Sequence, residues 1–416
     1  MLATITEHVV LSEKTAEGAE NTPIARKLGS ILRLTASSPP KKISNSVAEN
    51  EILRSEMQTL RKQHREKIER PFPTLSQIRN CIPAHCFERS LTKSIAYVVF
   101  DYAMVAALYC VLPYVEGTFG FGGLLVWYCI VGLFMAAIFV IGHDCGHGAF
   151  SRYPLMNDLF GHICFAPILS PYYGWQRTHR QHHQYTTHLE KDTSHPWVTE
   201  ADYESRNFFA KHFCKLPFSG FFRFDPIYTV LGLPDGSHYW PFSRIFKTKR
   251  DRIECVVSGV AVLACVLAAF ALCDYDLFLW FKYLLRAGFI IIALTYMQHD
   301  HEEVEVYDES TWNYVKGQAE TIDRVFGFGL DWVLHHATDG HVAHHYGNKI
   351  PHYHLIEATE HIKRFLATYP GMYKTKPAPF SFLEFCWLNI KLDCLIEKAP
   401  GIWKYRCSHS FQKKAD

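Results

Sequence analysis

Polar and apolar stretches divide the chain into a long polar lead and four apolar runs. Residues 1–70 are polar, charged and poor in aromatics, and no apolar run follows a basic start there. They are expected to form a disordered cytosolic tail, with at most a short helix in the charged run from Glu49 to Glu69. Pro71-Phe-Pro73 ends this lead. The runs that follow, about residues 95–112, 121–141, 256–273 and 277–297, are each long enough to cross a bilayer, which takes about 17 to 25 residues. They pair as two hairpins. The connections 113–120 and 274–276 contain no Lys or Arg, whereas residues 142–252 carry 13, which assigns that long segment to the cytosol. The shorter run 159–169 contains Pro167 and is expected to lie at the interface.

The pattern predicts an all-α integral membrane protein of four transmembrane helices in two hairpins, with a cytosolic helical cap and both termini in the cytosol. Its expected divisions are the tail 1–70, a segment 71–94 at the membrane surface, the main domain 95–400 and a cytosolic tail 401–416. Three ionisable residues fall inside the spans. Lys282 is expected to reach the nearer surface. Arg286 lies deeper and needs a partner, for which Asp101 is nearest in depth.

Composition narrows the class. In 416 residues, 48% are apolar and the net charge is only +2, so no strongly basic surface argues for nucleic acid. A mean hydropathy near zero, at -0.06, requires a large part outside the membrane. The 13 cysteines are odd in number and irregularly spaced, which fits reduced thiols.

The candidate chemistry lies in three histidine clusters: His143-Asp-Cys-Gly-His147, His179-Arg-Gln-His182-His183 and His341-Val-Ala-His344-His345. Spacings of i, i+4 and i, i+3, i+4 put each set on one face of a helix, aimed at a common point. An even number of crossings precedes each cluster, so all three face the cytosol and can share one site. Eight imidazoles exceed the four ligands of a zinc site, and two ions are the natural count. Imidazole suits iron, copper, nickel and zinc alike. No H-E-x-x-H is present to supply a protease's general base, and a histidine-rich pair with open positions suits redox chemistry on oxygen. A zinc-binding transporter or receptor, the rival from another class, would place ionisable groups through its spans, and the run 121–141 has none.

The three clusters resemble the histidine boxes of the membrane fatty acid desaturases. Further matches are Thr295-Tyr-Met-Gln-His299, Thr338-Asp-Gly-His341, Pro351-His-Tyr-His354 and Glu357-Ala-Thr359, and the segment Ile78 to Arg89 resembles that family's approach to the membrane. The similarity covers about residues 75–400 and points to the Δ12/ω3 branch. His179 to Thr186, His195-Pro-Trp-Val-Thr199 and Leu233-Pro-Asp-Gly-Ser-His238 look most like nematode-type Δ12 enzymes. The resemblance implies a di-iron site fed with electrons by cytochrome b5 and its reductase, and conversion of oleoyl to linoleoyl chains. An ω3 desaturase or acyl hydroxylase of the same fold is the alternative.

The resemblance makes His299 the expected ninth ligand, with His301 the alternative, beside His143, His147, His179, His182, His183, His341, His344 and His345. Asp192 and Asp339 are candidates to orient ligands. Tyr172, Tyr173, Trp175 and Trp240 are expected to line an acyl tunnel or to form an interfacial belt. His335-His336 departs from the family, which usually has Asn at the second position, and Tyr346-Gly347 is less bulky than usual. Lys413-Lys-Ala-Asp416 looks like a dilysine retrieval signal for the endoplasmic reticulum. His-Pro-Gly-Gly is absent, so the electron donor is expected to be a separate protein.

Overall fold

The computed structural model describes residues 72–407 except 196, 215, 218, 220–230 and 285–287. The polar lead 1–70, Arg286 and the dilysine sequence all lie outside the described residues. The described helices are α1 (Leu75–Asn80), α2 (Leu91–His147), α3 (Pro154–Phe165), α4 (Tyr172–Tyr185), α5 (Glu200–Ser205), α6 (Phe208–Cys214), α7 (Lys249–Leu272), α8 (Leu277–Leu284), α9 (Gly288–His299), α10 (Tyr314–Ala319), α11 (Leu330–Val333), α12 (His341–Tyr346), α13 (Leu355–Leu366) and α14 (Ser381–Lys391). Five short strands accompany them: β1 (Glu305–Tyr307), β2 (Ile322–Val325), β3 (Lys374–Pro377), β4 (Leu392–Ala399) and β5 (Ile402–Cys407).

The first predicted hairpin forms, with a shorter turn than expected. Residues 113–120 are not a loop, because α2 continues through Pro113 as far as Gly120, whose φ of 55° and ψ of −142° alone break the helix. A backbone there with positive φ favours glycine. The chain then folds back, so that Leu112, Leu124, Trp127 and Val131 form one core and Trp127 Nε1 donates to Leu108 O at 2.7 Å. At the other end Ser94 Oγ donates to Phe150 O at 2.9 Å. Gly148, left-handed at φ 68°, stops the helix one residue after the first histidine cluster.

Helix α7 begins at a capping box, Thr248 with Asp251. It leaves Val256, Val260, Leu263, Leu267 and Leu272 exposed, an apolar surface that only lipid or protein would cover. Among the described residues, α2 and α7 are the two helices long and apolar enough to cross a membrane. Of the fourth predicted run, the described residues show α8 and α9 on either side of residues 285–287. Lys282 reaches the turn end of the first hairpin, where its Nζ pairs with Glu116 Oε1 at 2.5 Å.

The fold is predominantly but not wholly α. Strands β1-β5-β4 form an antiparallel sheet and β2-β3 a parallel pair. Residues 402–407 therefore belong to the central strand of a sheet and not to a tail. Within the expected surface segment 71–94, residues 78–86 likewise pack inward, as Ile78, Ile82 and Cys86 share a core with Val342, Ala343 and Tyr346 of α12 and Ala358 and Ile362 of α13.

Candidate metal centre

Box one ends α2, box two lies on α4 and box three forms α12, and the fold brings all three together with the end of α9. Five imidazoles, His143, His147, His179, His183 and His344, offer ring nitrogens that lie within 4.8 Å of one another, and His182, His299 and His345 do so separately. His341 joins the second group, its Nε2 3.0 Å from His299 Nε2. All nine predicted histidines are thus placed in two adjoining groups. His301 is not among them; it lies against Glu302, 3.6 Å away.

One expectation needs correction. Each H-x-x-H-H box does not aim at a single point: His179 and His183 face the first group and His182 the second, while His344 faces the first and His341 and His345 the second. Successive helical residues are rotated by about 100°, so the i and i+4 pair shares a direction that the residue between them does not.

The donors fit metal ions. His299 Nε2 meets both His182 Nε2 at 3.1 Å and His341 Nε2 at 3.0 Å. His183 Nε2 meets both His179 Nε2 at 3.0 Å and His344 Nε2 at 3.1 Å. Neutral imidazoles facing one another in threes lack the protons to satisfy every contact, and a shared cation would supply what is missing. Nitrogens bonded at about 2.1 Å to one ion lie about 3.0 Å apart at right angles and about 3.4 Å apart in a tetrahedron. The observed contacts are of the length expected of nitrogens that share an ion. The buried Nε2 atoms of His147 and His345 also have no hydrogen-bond partner.

Hydrogen bonds from outside select the tautomers. His182 Nδ1 donates to Asp192 Oδ1 at 2.9 Å, leaving Nε2 bare toward the second group. His345 Nδ1 donates to Gln318 Oε1 at 2.7 Å, and Gln318 Nε2 donates to His183 O at 3.0 Å. Gln318 is fully buried and was not foreseen, because no motif surrounds it. Asp339 instead accepts from His336 Nδ1 at 3.1 Å, so it does not hold box three. Within box one, Asp144 Oδ2 accepts from both the backbone N and the Nδ1 of His352 at 2.9 Å, tying the Pro351-His-Tyr-His element to the centre.

Burial first, and neighbouring imidazoles second, hold His179, His183, His341, His344 and His345 well below the ordinary histidine range. These rings are neutral at pH 7, so ligation there costs no proton. Asp192→Asn is expected to lower metal content about 10- to 100-fold in affinity, the usual effect of losing such a partner. Metal analysis after equilibration with graded chelator measures it.

An apolar cleft opens onto both groups, walled by Phe139, Val140, Trp175, Leu294, Tyr296 and Leu355 beside the histidines. Trp175 stacks on His179 with centroids 4.4 Å apart. Of the other expected lining aromatics, Tyr172 is buried in a core with Phe165, Tyr173 packs on His162 and Trp240 faces outward, 56% exposed.

Residues 120–377 match the family described as fatty acid desaturase. The chain is 49% identical to the Delta(12) fatty acid desaturase fat-2 of Caenorhabditis elegans, over 80% of this chain and 91% of that protein. It is 44% identical to the omega-3 fatty acid desaturase fat-1 of the same organism, over 82% and 87%. Against the omega-6 fatty acid desaturase, endoplasmic reticulum isozyme 2, of Glycine max, the identity is 32% over 76% and 86%.

Proposed function

Because the chain belongs to the fatty acid desaturase family, and so is an oxidoreductase of fatty acyl chains, we propose that it inserts the Δ12 double bond that turns oleoyl into linoleoyl. The observation that carries the desaturase chemistry is the apolar cleft walled by two groups of histidines. The position of the new bond rests on similarity to a Delta(12) relative over most of both chains.

The two groups would hold two iron ions, which supply the oxidising power that an unactivated methylene demands of a site using oxygen. Overall, two hydrogens leave adjacent carbons as the double bond forms, and with two electrons and two protons from outside they reduce one oxygen molecule to two waters. The protein's residues aim and shield. Phe139, Val140 and Leu294 take the acyl chain out of water. Asp192 and Gln318 hold protons on Nδ1 of His182 and His345, keeping each Nε2 turned inward. An existing cis bond gives the chain a fixed kink from which a shaped cleft would select carbons further along. Electrons are proposed to come from cytochrome b5 and its reductase. We propose further that it lies in the endoplasmic reticulum membrane with four spans and both termini cytosolic, a reading supported by connections 113–120 and 274–276 that carry no Lys or Arg.

Expression in a yeast that makes oleate but no polyunsaturated chains is expected to yield linoleate without feeding. The similarity to an omega-3 desaturase supports a second reading. Under it, no linoleate forms, and supplied linoleate is consumed to α-linolenate.

A further inference from the structure

Outside the histidine centre, a third set of metal-binding side chains comes together. His85 and Cys86 lie on the 3-10 turn Ala84–Phe87 and Glu357 on the first turn of α13. One ligand atom from each lies within 4.8 Å of the others. His85 Nε2 and Glu357 Oε1 are 2.8 Å apart and both side chains are about half exposed, at 52% and 46%. Cys86 forms the floor beneath them, with no exposure at all. Its thiol is pushed up to about 11, by burial first and then by the Glu357 carboxylate. The His354 ring stands edge-on to His85 at 6.0 Å between centroids.

An exposed histidine–glutamate pair contributes little to stability and has no need of a buried thiol beneath it. A thiol, an imidazole and a carboxylate converging from two elements, open to solvent on one side only, make a donor set of mixed softness. We propose that His85, Cys86 and Glu357 form a second metal site that takes one divalent cation of the zinc class, with water or His354 in the fourth position. Such ions accept sulfur, nitrogen and oxygen together in a tetrahedron.

The ligand must be the thiolate, so each ion that binds displaces one proton from Cys86 Sγ to solvent. Cys86 packs in the core that includes Val342 and Tyr346 of α12, the helix of box three. An ion at this site therefore ties the segment leading into the membrane to the support of the third histidine cluster. None of the nine histidines of the main centre is involved, so this site stands or falls independently of the iron reading.

The test is titration of the full-length protein, purified in detergent with its own metal in place, with cobalt(II) under argon. A thiolate-to-cobalt charge-transfer band is expected in the near ultraviolet, a signal that an all-histidine centre cannot give, with one proton released per cobalt bound. Zinc should bleach it. Cys86→Ser should lose the band, and His85→Gln and Glu357→Gln, at half-exposed positions, should fold normally, keep the main-centre metal and bind cobalt at least tenfold more weakly. No band in the unaltered protein, or a band that survives Cys86→Ser, overturns the site. Should Cys86→Ser fail to accumulate, the two glutamine variants decide: cobalt affinity equal to that of the unaltered protein overturns the proposal.

Discussion

Replacing His344 by alanine is expected to abolish linoleate formation, and replacing His182 is expected to do the same. The two residues answer to different groups, His344 to the first and His182 to the second, so the joint result tests whether both are needed. Removing the hydrogen-bond partner of a ligand costs about 10- to 100-fold, and removing the ligand itself costs more. Each variant also leaves a buried Nε2 contact unanswered, His183 in one case and His299 in the other. His212, exposed on α6, serves as the control and should tolerate alanine. Product analysis in yeast, at matched protein levels, reads the outcome. Full activity in either box variant would sink the two-group reading.

Asp101→Leu is expected to be the most destabilising single change away from the centre. Asp101 is fully buried on the first arm of α2, and its Oδ2 accepts from His335 Nε2 at 2.7 Å. Its partner is this histidine; the pairing with Arg286 that depth alone suggested falls outside the described residues. His335 sits at a positive φ of 50°, an uncommon backbone for a non-glycine residue. Removing one partner of a buried hydrogen bond costs about 1 to 3 kcal/mol, whereas replacing both with apolar groups can be nearly neutral. Asp101→Leu should thus lower the melting temperature in detergent sharply, and adding His335→Leu should recover much of the loss. A double variant no better than the single one would show that the pair does not carry the effect.

Much of this arrangement was legible because membranes and metals write strong signals. Apolar runs announced the first hairpin and α7, and the histidine clusters marked the three segments that converge, though not how their rings divide between two groups. The details that escaped are those set by tertiary contact. Pro113 suggested a loop, but the lone glycine conformation at Gly120 makes the turn and the helix runs through the proline. Pro400-Gly401 was a readable turn signal between two β-prone runs, yet the strands need β1, nearly a hundred residues earlier, as a partner. Gln318 carries no motif, and only the approach of α10 to α4 and α12 sets it beside His345. Asp339 looked as well placed as Asp192 by distance along the chain, but it turns to His336 instead.

The division of adjacent histidines between the two groups has a consequence for how the centre fills. His182 and His183 share one peptide bond, as do His344 and His345, and each pair reaches to both groups. A rotation of α4 or α12 that turned one ring out of its group would turn its neighbour out of the other. The two groups are mechanically coupled through the backbone. An ion held by either group would accordingly steady the rings of the other.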